Sequence, residues 1–135
     1  MAVRLHDLSG VNHVIRHTIA AAATAGTALT VIGIAPFKAK VNGAYFIPSA
    51  TMTGASAPNR KLSVLNLGAA GSGSTALAAI TYTGSVNGAA SVASTLTNGA
   101  DVTVAAGDVL AVLADVNSTG LPLVAGDIQV NLQGN

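Results

Sequence analysis

The side chains able to do chemistry are few and unevenly placed. The chain has three histidines (His6, His13, His17), five aspartates (Asp7, Asp101, Asp108, Asp115, Asp127), no cysteine and no glutamate. Nucleophilic catalysis needs a serine or cysteine beside a base that a third group orients. Here every histidine precedes the strand-like part of the chain. Paired carboxylates would have to come from Asp101, Asp108, Asp115 and Asp127. Each lies at a strand end or turn, where an aspartate commonly bonds nearby backbone N–H groups; Asp108 and Asp127 in particular read as turn residues. His13 and His17 are four apart, which on a helix would put them on one face, as in some zinc sites. No glutamate accompanies them and no third ligand stands out. The glycine-rich residues 68–75 lack the lysine of a phosphate-binding loop and lead into no helix. The expectation is a chain with no catalytic site, no metal site and no cofactor.

The elements that would carry these residues are strands. From Thr27 onward, Val, Ile and Thr runs alternate with Gly, Asn, Ser and Pro, the pattern of short strands joined by turns. Ile128, Val130 and Leu132 alternate with Gln129, Asn131 and Gln133, so one face should meet a core. Residues 38–48 alternate too, placing Ala39, Val41, Tyr45 and Ile47 on one side and Lys38, Lys40 and Asn42 on the other. Pro48, lacking an N–H, should end that strand. Residues 62–67, 77–82 and 109–116 are near-continuous apolar runs, as expected of strands covered on both faces. Residues 92–96 and 102–104 are shorter strands. Asn87-Gly88, Asn98-Gly99 and Gly107-Asp108 suit turns, and residues 69–74 a hairpin loop. The result is an all-β chain: an antiparallel β-sandwich or jelly roll of about eight short strands over residues 27–135, preceded by an N-terminal arm over residues 1–26.

Composition then says what surrounds such a domain. Of 135 residues, 50% are hydrophobic and only 8% charged, with 27 alanines and a formal net charge of +1. A free protein surface carries about 25–35% charged residues. Six basic and five acidic residues cannot supply that, so much of the surface should be covered by other chains. A disordered chain would be more polar. The near-neutral charge provides no dense basic patch for nucleic acid, and Tyr45, Phe46 and Tyr82 are too few for base stacking. Residues 18–37 are uncharged, but they are rich in Ala and Thr and broken by Gly26, Gly33 and Pro36. They suit neither a membrane span nor a signal peptide. Asn117-Ser118-Thr119 matches a glycosylation acceptor that matters only for an exported chain. The absence of cysteine fits assembly in a reducing cytoplasm.

Several stretches carry a resemblance. They read Thr27-Ala28-Leu29-Thr30-Val31, Val41-Asn42-Gly43-Ala44-Tyr45-Phe46-Ile47-Pro48, Asn59-Arg60-Lys61-Leu62-Ser63-Val64-Leu65-Asn66-Leu67-Gly68, Val104-Ala105-Ala106-Gly107-Asp108-Val109-Leu110 and Ser118-Thr119-Gly120-Leu121-Pro122. Over residues 27–133 the chain resembles small head decoration (capsid-stabilising) proteins of tailed bacteriophages. The resemblance rests on strand order and texture, and leaves residues 1–26 uncovered. It implies a β-sandwich, commonly a homotrimer, made in the host cytoplasm and bound to the outer surface of a capsid, with the major capsid protein as partner and neither nucleic acid nor membrane involved. Another virion component (a head fibre base or tail protein) and a carbohydrate-binding β-sandwich are the alternatives. The arm is then expected to dock on a neighbouring protein rather than complete its own domain's core, with Arg4, His6, His13, Arg16 and His17 as candidate capsid contacts.

Overall fold

Val-, Ile- and Thr-rich segments a few residues apart pair most readily with neighbours running the opposite way, because a short turn reverses the chain. The computed structural model follows that rule throughout. It describes residues 10–22, 27–55, 59–99, 102–117 and 121–135. Within them lie nine strands: β1 (Asn12–Ile19), β2 (Ala28–Ile34), β3 (Ala39–Pro48), β4 (Asn59–Asn66), β5 (Thr75–Tyr82), β6 (Ser94–Asn98), β7 (Thr103–Val104), β8 (Val109–Asn117) and β9 (Gly126–Gly134). Every pairing is antiparallel. The strand order is β1-β9-β3-β6-β5-β4-β8-β2, with β7 beside β3. β6 joins the two halves, pairing with β3 near its start and with β5 near its end. At the far side β1 and β2 approach without pairing. A Cβ placed on Gly33 of β2 would sit 3.3 Å from Ile15 Cγ2 of β1. The sheet is therefore nearly closed, and its interior is one core. No helix forms among the described residues, so none is long and apolar enough to cross a membrane.

All eight strands expected between residues 27 and 135 form, and β9 keeps its expected alternation: Ile128, Val130 and Leu132 are fully buried. Two expectations are corrected. The first concerns β3. A bulge between Val41 and Gly43 shifts its register against β9. The extra residue inverts the alternation beyond it. Ala44 and Phe46 therefore point into the core, and Tyr45 and Ile47, expected beside Ala39 and Val41, lie on the outer side, half-buried.

The second correction concerns the arm. Residues 12–19 do not stand apart from the β domain. They form β1, paired with β9 along its whole length from Asn12↔Gln133 to Ile19↔Gly126. Ile15 and Ile19 belong to the core. β9 would otherwise offer a bare row of backbone donors and acceptors, and covering that edge is the physical reason for the pairing. Residues 1–9 and 23–26 of the expected arm, including Arg4 and His6, lie outside the described residues.

The turns divide similarly. The β4–β5 hairpin turns through Gly68, whose φ of 71° suits glycine, and Gly107 (φ 88°) turns the chain before β8. Asp108 behaves as expected: its Oδ2 accepts from the Ala105 backbone N–H (2.9 Å) and from Asn66 Nδ2 (2.8 Å). Asp127, expected in a turn, is instead the second residue of β9. Asn87-Gly88 is no tight turn either. Gly88 bridges to Met52, and Asn87 Oδ1 accepts from the Gly54 N–H at 2.8 Å.

The core is light, as its composition requires; Phe46 and Tyr82 are its two aromatic residues. The Tyr82 side chain is fully buried and its hydroxyl has no hydrogen-bond partner. Burial pushes its pKa up, and nearby Ser94 pulls weakly the other way. The folded state thus holds the phenol proton more tightly than the unfolded chain. Stability is intact below about pH 10 and falls as pH rises beyond it. Tyr82→Phe should stay within about 1 kcal/mol of the wild type at neutral pH, because the lost hydroxyl made no bond. It should also flatten the alkaline fall in urea midpoint; identical alkaline limbs for the two proteins would refute this.

Candidate functional site

The two outer faces of the folded sheet differ in kind. On β1 and β9 the outward side chains are polar and bonded to one another. Arg16 Nε donates to Gln129 Oε1 (2.9 Å), Thr18 Oγ1 donates to Asp127 Oδ1 (3.0 Å), and Gln129 Nε2 donates to Asn131 Oδ1 (3.0 Å). This is the apolar-in, polar-out alternation of a sheet that meets water.

The outer face of β2, β8 and β4 breaks that rule. Leu110, Val112 and Ala114 of β8 point into the core, so Val109, Ala111 and Leu113 point out. Their cross-strand partners share that side. Leu29 pairs with Leu113, Val31 with Ala111 and Ile34 with Val109; on the other flank Leu65 pairs with Ala111. Leu65, Leu67 and Ala111, with Val109 and Leu113 against them, form a second apolar cluster outside the main core. On β2 the face is open to solvent: Leu29 is 55% exposed, Val31 53% and Ile34 60%. β2 also carries no charge and no proline, the usual protections of an end strand. Charges appear at one end of the face, where Lys61 and Asp115 are cross-strand neighbours. There Thr27 Oγ1 approaches Asp115 Oδ1 at 3.4 Å.

The residues singled out from sequence lie elsewhere. His13 and His17 sit on β1 opposite Leu132 and Ile128. Four residues along a strand separate them by about 13 Å, too far for one metal ion. His13 meets the Phe37 ring edge-on at 6.2 Å. No group of three or more potential metal ligands occurs among the described residues. Arg16, His17, Thr18 and Asp127 line a shallow depression of about 410 Å³. Thr51, Met52, Thr53, Leu121, Pro122 and Val124 line a smaller, mostly apolar one of about 200 Å³. Asp127 is bonded to Thr18 and Asp115 to the Val116 N–H, so both carboxylates act as structural acceptors.

The apolar runs of β4 and β8 were legible as strands apolar on both faces. Which of those faces is the surface was not, because periodicity does not say what lies beyond a sheet. Compared with known proteins, the chain matches no family model, no curated protein and no solved structure.

Proposed function

We propose that this chain is a non-catalytic structural protein of a virus particle, which works by packing against other protein subunits. The observation that carries the reading is the apolar outer face of β2, β8 and β4, with three large side chains more than half exposed on an end strand. Contiguous apolar surface of this kind marks interaction sites. The 8% charge of the whole chain supports the same reading. The resemblance to tailed-phage head decoration proteins names the setting: the outer surface of a capsid, stabilised by many repeated contacts. In that setting the polar face of β1 and β9, with Arg16 and with His13 and His17 along β1, meets the major capsid protein.

The test is co-sedimentation of the purified chain with shells assembled from the capsid protein encoded alongside it. Binding should saturate at a fixed ratio of chain to capsid subunit. A chain that stays in the supernatant at every concentration, or that partitions with tails instead, overturns the decoration reading. Contacts through exposed Arg16 should be screened by salt. Arg16→Ala should therefore weaken binding several-fold at low ionic strength and little at high, read from the same sedimentation curves.

A further inference from the structure

We propose that the apolar outer face of β2, β8 and β4 packs against the same face of a second copy of this chain, forming a two-fold dimer. The pairing deepens the assembly reading by naming what covers this face, and it can be tested with no shell present.

Three observations favour a second copy. The first is charge. Formal charges are confined to one end of the face, where Lys61 and Asp115 are cross-strand neighbours of opposite sign. The face is thus neutral as a whole, and setting it against itself brings together no field of like charge. A partner recognised by charge would find nothing here to select it.

The second is area. The outward side of β5, with Ala79 opposite Ser63 of β4, continues the face. Four strands about 4.8 Å apart and seven residues long at about 3.3 Å each give roughly 440 Å² per copy before side-chain relief is counted. Two copies bury roughly 900 Å², close to the ~1,000 Å² that marks a specific interface. The expected dimer is therefore reversible and micromolar.

The third is symmetry. A ring of three needs two dissimilar patches that fit each other, whereas one self-complementary patch closes as a two-fold pair. Among the described residues the other exposed large apolar side chains are Val11, Val14 and Val92. Val11 and Val14 belong to β1 and its approach, and Val92 to the loop before β6. The surface therefore offers one broad patch. The three copies that the resemblance implies would need a second.

Sedimentation equilibrium on the purified full chain, from about 1 to several hundred micromolar, tests the pairing. The weight-average mass should rise with concentration from 13.1 kDa to twice that value. Val31→Lys places a charge at the middle of the face and should raise the dissociation constant roughly a hundredfold or more. Val92→Lys, equally exposed but remote in the chain, should leave it unchanged. Ile34→Lys replaces Val31→Lys if circular dichroism shows the latter misfolded. A mass of 13.1 kDa throughout, a limiting mass of three chains, or a Val31→Lys protein that associates like the wild type would each overturn the proposal. A Val31→Lys monomer that still sediments with shells keeps the two readings apart. A wild-type dimer that ignores shells overturns the decoration reading alone.

Discussion

A chain carrying Ile15→Ala and Ile19→Ala together should lose about 4–8 kcal/mol of folding stability, each buried Ile→Ala change costing roughly 2–4. The two positions are about 13 Å apart along β1, far enough for their effects to add. Both side chains are in the core, Ile15 at the seam where β1 approaches Gly33 of β2. A domain of this size has about 5–15 kcal/mol in total, so the double variant should be partly unfolded at 25 °C. Removing residues 2–19 should go further, since it also strips β9 of its eight-residue partner. Urea titration followed by circular dichroism measures both. A double variant within about 1 kcal/mol of the wild type would show that β1 adds little to the fold and would restore the picture of a docking arm.

Arg60→Ala should be nearly as costly, at about 3–5 kcal/mol. Arg60 lies on the inward side of β4, opposite Tyr82 of β5 and Val116 of β8, and its side chain is 0% exposed. Its Nε donates to the Leu121 carbonyl at 2.8 Å. Burial lowers the guanidinium pKa from its ordinary value, and Asp115 pulls it back up. The side chain thus fills one end of the core and ties the approach to β9 down onto β4. Alanine leaves a cavity there and an acceptor with no donor. Arg60→Met keeps most of the volume without the charge, so it should recover part of the loss. Urea midpoints of the three proteins would separate packing from hydrogen bonding. An Arg60→Ala protein as stable as the wild type would mean that Leu121 is held by other means.

Nothing in the order of residues marked Arg60 for the interior. A basic residue beside Lys61 at the start of a strand reads as surface, and what buries it is Leu121, sixty-one residues later in the chain. The same limit applies to β1. Its apolar residues are too few to announce a strand alone, and its partner β9 stands at the opposite end of the sequence. The histidine pair was misplaced for a related reason: the four-residue spacing has chemical meaning on a helix, and β9 makes that segment a strand. Arg4 and His6 lie outside the described residues and carry no geometry.

What the sequence by itself determined was local: the all-β class, the eight strands from β2 to β9, the inward face of β9, the end of β3 at Pro48 and the turn at Gly107. Side-chain alternation, proline's missing donor and glycine's freedom at positive φ act within a few residues, so a few residues suffice to read them. The tertiary structure decided the rest. The bulge in β3 chose Phe46 over Tyr45 for the core, because register is settled against β9 and not along β3. Closure of the sheet through β6 put one face of β4 and β8 inside and left the other, equally apolar, on the surface. A strand apolar on both sides has no preference of its own between the two. Only the packing of the whole sheet distinguishes them, and so only the fold locates the face through which this chain is built to meet another.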